Sequence, residues 1–254
     1  MQRVRSSLPL LREWLAEAPF GLAMSSGFFA FYAHCGVLAA LEDEDLFPSH
    51  VSGSSAGALV GGAWAAGVNA TTLRDTLFAL QREDFWDPAP GPGLLRGQRF
   101  IEKLEALLPV TRFDQCRVTL AVSTFNLRQQ QTAVLSTGKL APAIAASCAV
   151  PLLFQPVWIH GHPHVDGGIK DHHGLAGMEM GRVFYHHIAS RMPWRSPRHQ
   201  ALKIPHRPGL KALNIAGLAR VGPFRLQRGQ AAFRQGLQAT QEALSLPATA
   251  VIRI

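Results

Sequence analysis

The pentapeptide Gly53-Ser54-Ser55-Ala56-Gly57 constrains this chain more than any other feature, because its G-x-S-x-G pattern lies between a short apolar run and an Ala/Gly-rich, helix-like segment. That arrangement asks for a strand, a sharp turn and a helix, with Ser55 at the apex. A serine hydroxyl is a poor nucleophile at neutral pH. It gains reactivity at such a turn only beside a proton acceptor and near backbone N–H donors. Gly53 and Gly57 carry no Cβ, so the chain can fold tightly there and a neighbouring strand or a substrate can approach the backbone. The plainer alternative is a Gly/Ser turn that caps a helix, with Ser54 or Ser55 as the N-cap.

The flanking sequence supplies context. Gly21-Leu22-Ala23-Met24-Ser25 reads as a short buried strand, Ser26-Gly27-Phe28 as a turn, and residues 31 to 44 as a helix with Tyr32, Val37, Leu38 and Leu41 at near-helical spacing. Val51-Ser52 leads into the serine turn, and residues 56 to 66 continue as a second helix closed by Gly67. One strand-helix unit therefore precedes Ser55. An ordinary α/β-hydrolase has several units there and runs Ser, Asp or Glu, then His. The eleven histidines leave a triad open on composition, but the topology favours a Ser-Asp pair.

Four blocks resemble the patatin-like phospholipases, α/β acyl hydrolases with a Ser-Asp dyad. Gly36-Val37-Leu38-Ala39-Ala40-Leu41 is similar to the helix after that family's first turn, and Val51 to Leu59 to its serine elbow. Ala146-Ser147-Cys148-Ala149-Val150-Pro151-Leu152-Leu153-Phe154 resembles a segment where a helix ends at a proline and the chain turns toward the sheet. Val165-Asp166-Gly167-Gly168 resembles the D-G-G or D-G-A block that carries the aspartate. The resemblance implies Ser55 as nucleophile, Asp166 as its partner, and backbone N–H groups of Gly27, Phe28 and Ala56 as oxyanion donors. Gly53, Gly57, Gly167 and Gly168 are then the motif glycines. The first turn departs from the family's pattern. Ser26-Gly27-Phe28-Phe29-Ala30-Phe31 keeps a single glycine, and Ala30 stands where a basic residue is common. Oxyanion holes use backbone N–H groups, so side chains can drift if the backbone geometry survives. Phe28, Phe29 and Phe31 are candidates for an acyl-chain channel or for plain core.

The residues around Asp166 argue independently of the resemblance. Two glycines follow it, and after residue 170 the only other acidic residues are Asp171, Glu179 and Glu242. A carboxylate accepts a serine proton when partial burial favours its neutral form. The competing reading is an Asp-Gly-Gly turn in which the aspartate bonds its own backbone. A second alternative concerns His160, His162, His164, His172 and His173, whose spacing allows a metal site. The favoured reading has no metal and no cofactor. Neither a G-x-x-x-x-G-K-[ST] loop nor a dinucleotide fingerprint is present. His186 and His187 read as part of a strand and its edge.

At 254 residues with 47% hydrophobic content, the chain can bury one substantial core. The expected fold class is α/β: a patatin-like three-layer sandwich whose largely parallel central sheet is covered by helices. It forms one domain over residues 1–254, with the motifs in about 21–170 and a basic part at 171–254. Further strands are expected at Val118-Thr119-Leu120-Ala121-Val122, at Ala133-Val134-Leu135 and around Val183, with a helix over residues 100 to 108. Phe233, Leu237, Thr240 and Leu244 mark a final amphipathic helix that docks on the core. Asp87-Pro88-Ala89-Pro90-Gly91-Pro92-Gly93 reads as a mobile flap. Cys35, Cys116 and Cys148 have no ligand-like spacing and are expected as reduced thiols.

Arg3 and Arg5 begin a basic N-terminus, but Arg12 and Glu13 interrupt the apolar run before it reaches signal-peptide length. A cytoplasmic protein is expected. Residues 170 to 254 carry 13 Lys or Arg against 3 acidic groups. That surplus suits peripheral contact with an anionic membrane, with Trp194 of Arg191-Met192-Pro193-Trp194-Arg195-Ser196-Pro197-Arg198 at the headgroup level. No nucleic-acid motif accompanies the charge. The expected substrate is a lipid ester, cleaved by a phospholipase A or lysophospholipase type of reaction. The alternatives are a thioesterase or neutral-lipid esterase, and a lipid-binding relative without turnover. Oligomeric state is left open.

Overall fold

The computed structural model describes residues 8–179, 181–189 and 202–254. Arg3, Arg5 and the segment around Trp194 lie outside the described residues. In chain order the elements are α1 (Leu11–Glu17), β1 (Gly21–Met24), α2 (Phe31–Asp43), β2 (His50–Ser54), α3 (Ala56–Ala65), α4 (Ala70–Phe78), β3 (Gly93–Leu95), α5 (Gln98–Leu107), β4 (Thr119–Asn126) and β5 (Gln131–Leu135). There follow α6 (Leu140–Ser147), β6 (Leu152–Phe154), β7 (Val157–Ile159), β8 (His162–Asp166), β9 (Val183–His187), β10 (Leu210–Asn214), α7 (Gly229–Leu244) and β11 (Val251–Arg253).

The main sheet runs β11-β10-β9-β1-β2-β4-β8-β7, and β3 pairs with β6 in a small second sheet. From β11 to β4 every pairing is parallel. Most residues of β1, β2, β4 and β9 are buried, so these strands read as near-continuous runs rather than as alternation. The parallel arrangement breaks beyond β4. There β5, expected as part of the parallel set, pairs antiparallel with β4. The reason is local: the Asn126 side chain accepts the N–H groups of Arg128 and Gln129 at 3.0 and 2.9 Å, folding the chain back at once.

The helices contribute to one continuous apolar cluster that includes Leu38, Trp64, Leu73, Ile144, Phe184 and Leu244. Truncating one of its fully buried members, as in Leu38→Ala, costs about 2–5 kcal/mol. Helix α2 is buried almost all round, which marks it as central rather than amphipathic. It crosses α7 closely because each helix presents a glycine. A Cβ on Gly36 would lie 2.2 Å from the Phe233 carbonyl oxygen, and one on Gly236 would lie 2.4 Å from that of Ala33. Phe233, Thr240 and Leu244 of α7 are buried, as the amphipathic pattern predicts. A smaller cluster of Ala23, Met178, Val183, Tyr185, Leu210 and Ala212 forms a separate core.

The 87–93 segment is no free flap. Asp87 accepts the N–H groups of Gly97 and Arg99, Gln155 donates to the carbonyls of Ala89 and Pro90, and Gly93 begins β3. His186 and His187 lie in β9 between β1 and β10, so they are interior to the sheet rather than at an edge.

Candidate active site

Two strands bring the distant blocks together. β2 pairs with residues 119–123 of β4, ending at Ser54 opposite Ser123. β8 runs antiparallel to the remainder of β4, ending at Asp166 opposite Thr124. The carboxyl ends of β2 and β8 therefore meet at adjacent positions on β4. Ser55 Oγ donates to Asp166 Oδ2 at 2.6 Å across 111 residues of sequence. The other carboxylate oxygen, Oδ1, accepts the Gly168 N–H at 2.7 Å. Asp166 is thus both the serine's partner and the holder of its own Asp-Gly-Gly turn. Its side chain is oriented from two directions and buried.

Ser55 sits at φ 52°, ψ −116°, a region that costs a non-glycine residue about 1–3 kcal/mol. The surroundings enforce that geometry. Ser55 N–H donates to Ser147 Oγ at 2.8 Å, and Ser147 Oγ donates to the Ser123 carbonyl at 2.6 Å. The Cys148 thiol faces the Ser55 carbonyl oxygen at 3.2 Å. Burial holds that thiol well above its ordinary pKa, reinforced by the Asp166 charge. The motif glycines supply clearance. A Cβ on Gly57 would lie 2.1 Å from the Met24 carbonyl oxygen, and one on Gly53 would lie 2.4 Å from the Gly57 carbonyl carbon. On Gly167 it would lie 2.1 Å from the Ser123 oxygen, and on Gly168 it would lie 2.5 Å from Ser26 Oγ.

Gly27, Phe28, Ser55 and Ala56 share the wall of one cavity of about 110 Å³. Ala56 is the first residue of α3, so its N–H has no acceptor within the helix. The remaining wall is largely apolar, with Phe29, Phe31, Phe85, Phe100 and Phe154 alongside leucines such as Leu59 and Leu77. Two of these serve cavity and core together, Phe31 being buried and Phe29 packing against the main cluster, whereas Phe28 is 42% exposed. Helix α5 contributes its apolar stripe, Phe100, Leu104 and Leu107, along with Lys103 paired to Asp84 at 3.1 Å.

The glycine-poor first turn is held by side chains that the sequence did not single out for this work. Ser26 N–H donates to the His172 carbonyl at 2.7 Å, and Ser26 Oγ lies 2.6 Å from His172 Nδ1. His172 Nε2 faces the Ile188 carbonyl at 3.2 Å, so it carries the proton and Nδ1 accepts from the serine. Ile188 N–H in turn donates to Ser25 Oγ at 2.8 Å. On the other side, His34 Nε2 donates to the Ser25 carbonyl at 2.9 Å, leaving His34 Nδ1 to accept from His186 Nδ1 at 2.8 Å. Burial pulls His34 down to about 4 and His186 well below the usual histidine range, where His34 and His187 add to the effect. Both rings are neutral at pH 7.

The metal alternative finds no support in the geometry. Among the described residues, no group of three His, Cys, Asp or Glu side chains is arranged to hold an ion. His164 bonds Thr124 Oγ1 at 2.8 Å, while His173 and His187 share the Tyr185 hydroxyl at 2.8 Å each. His160 lies in the turn before β8 at positive φ rather than in strand alternation with His162 and His164.

Comparison with known proteins places the chain by family and by fold. The patatin-like phospholipase family profile matches residues 22–177. An uncharacterized NTE family protein of Mycobacterium tuberculosis is 30% identical over 159 residues, covering 59% of this chain and 42% of that protein. Lysophospholipase NTE1 of Meyerozyma guilliermondii is 24% identical over 172 residues, covering 65% of this chain but 12% of that much longer protein. The chain thus spans less than half the length of these relatives. In fold it is similar to the crystal structure of VipD from Legionella pneumophila, with TM-score 0.52 and 15% identity over 89% of this chain and 66% of that one. With the matched span covering more than half of its residues, the chain belongs to the patatin-like phospholipase family.

Proposed function

We propose that the protein is a serine acyl hydrolase that cleaves carboxylic esters of lipids through Ser55 and Asp166. The observation that carries this reading is the 2.6 Å hydrogen bond from Ser55 Oγ to Asp166 at the lip of an apolar cavity. Asp166 takes the Ser55 proton as Oγ attacks the acyl carbonyl carbon. The oxyanion that forms is met by N–H groups of Gly27, Phe28 and Ala56, which line the same cavity. Collapse expels the alcohol portion of the lipid, which takes up the proton from Asp166. Water then attacks the acyl-enzyme with Asp166 again as base, releasing the fatty acid and restoring Ser55. The apolar wall suits an acyl chain, as phospholipids and lysophospholipids present.

A fluorophosphonate probe tests the central step. Covalent labelling of the wild type that vanishes in Ser55→Ala supports an activated serine. Absence of labelling, together with retained liposome binding, would instead support a lipid-binding relative. Turnover of a mixed lipid panel, read by mass spectrometry, assigns head group and acyl position and separates phospholipids from thioesters and neutral glycerides.

A further inference from the structure

Strands β1, β2, β9 and β10 are parallel neighbours, so their carboxyl ends emerge along one edge of the sheet. In open α/β sheets that edge is where ligands bind. Ser55 follows β2 there, and the turn bearing Phe28 follows β1. The segment that follows β10 leaves from the same edge, and residues 216–228 have an unusual composition: Arg220, Arg225 and Arg228 with Phe224, and no acidic residue.

This segment is fixed rather than loose. Gln235 of α7 accepts the Ala219 N–H at 2.8 Å and donates to the Gly217 carbonyl at 3.3 Å. Leu218, Ala219 and Val221 pack against the main core. The three arginines point their charge into solvent, and Phe224 is 70% exposed. Its ring lies 6.0 Å from that of Trp86, and the Arg82 guanidinium sits 5.6 Å over Phe224 and 5.7 Å over Trp86. Trp86 directly follows Asp84 and Phe85, both of which line the cavity. Phe224 is therefore on the outside of the wall whose inside faces the site.

We propose that this edge docks on an anionic lipid bilayer, with Phe224 entering the headgroup region and Arg220, Arg225 and Arg228 meeting lipid phosphates beside the cavity. An exposed ring under the Arg82 guanidinium, on a segment that carries three further exposed arginines, matches the two layers of such a surface, an apolar interior beneath negative charge. A bilayer is favoured over nucleic acid because Phe224 and Trp86, packed edge to face, offer no stacked platform for successive bases, whereas the adjacent cavity is apolar. The proposal deepens the lipid reading of the site and rests on it.

The test is co-flotation of the full chain with phosphatidylglycerol-rich and with pure phosphatidylcholine vesicles, at low and high salt. Wild type and Ser55→Ala are expected to bind the anionic vesicles alike and to release at high salt. Phe224→Ala is expected to weaken binding about fivefold, and Arg220→Gln with Arg225→Gln about 25-fold, at roughly one fivefold step per arginine. Both variants should keep wild-type rates on a soluble short-chain ester. Three results would overturn the docking face: no vesicle binding by wild type, equal binding by the variants, or arginine-dependent binding to a DNA oligonucleotide in place of vesicles. Vesicle binding that follows this pattern in a protein that hydrolyses no ester would leave the docking face standing and remove the hydrolase reading.

Discussion

The serine elbow and the first turn each form a lip of the same cavity, and they are built by different means. At the elbow, glycines bring backbone against backbone: Gly57 faces the Met24 carbonyl and Gly53 faces Gly57 itself, leaving no room for a Cβ. At the first turn, the lone Gly27 is ringed by side chains, with the nearest atoms on Ala30 and Ile188. The turn is fixed by hydrogen bonds in which Ser25 accepts from His34 and from the Ile188 N–H, and Ser26 donates to His172. Steric necessity shapes one lip and a polar network shapes the other. A family pattern survives where backbones collide and drifts where side chains can substitute.

Glycine replacements probe the contrast most strongly. Gly57→Ala drives a methyl group into a main-chain oxygen and is expected to cost about 3 kcal/mol or more. That corresponds to a fall in Tm of roughly 6–12 °C for a chain of this size. Gly27→Ala meets the Ala30 and Ile188 side chains close to their main chain rather than a main-chain oxygen, and the expected loss is about 2 kcal/mol. Equal losses in the two variants, measured by thermal unfolding, would erase the distinction.

Acidification probes the polar lip. His34 titrates at about 4 in the folded protein against an ordinary value near 6.5, so the unfolded chain binds the extra proton first. Its contribution is complete above about pH 6.5 and is lost as pH falls toward 4, by a little over 1 kcal/mol for each pH unit in that window. His34→Gln should flatten this part of the stability curve, and an unchanged slope would show that the ring is not buried in its neutral form. Ser26→Ala removes the hydroxyl donated to His172 while leaving the Ser26 N–H bond in place. The expected result is a fall in kcat of about tenfold with KM little changed, a fraction of what a whole oxyanion donor supplies. The smallest effect belongs to a site outside both lips. Trp158 is 69% exposed on β7, and Trp158→Ala should change stability by about 0.5 kcal/mol or less.

The same contrast explains what the sequence made legible. Ser55, Asp166 and their glycines sit in short local patterns whose chemistry follows from the residues themselves, and β1, α2, β2 and α3 follow from runs of adjacent apolar residues. The residues that hold the site in place do not advertise themselves. Ser147 lies 92 residues from Ser55, His172 lies 146 from Ser26, and His186 lies 152 from His34. No spacing rule connects such pairs; only the strand order does. The direction of β5 was readable in principle from Asn126 as an Asx turn, but its apolar run gave no sign of direction. Strands β10 and β11 escaped notice because Leu210–Asn214 mixes polar with apolar residues and Val251–Arg253 is three residues long. Helix α1 is seven residues long, too short for the spacing of Leu11, Trp14 and Leu15 to stand out.

The account depends on a proton passing between two side chains 111 residues apart. Asp166→Asn keeps the shape of the site and removes the acceptor. The decisive measurement is its kcat on a lysophospholipid, taken alongside a circular dichroism spectrum and Tm. The predicted result is a folded protein with kcat lowered by about a thousandfold or more, in the range expected when a general base and its orienting role are lost together. A folded Asp166→Asn protein with near-wild-type turnover would contradict it.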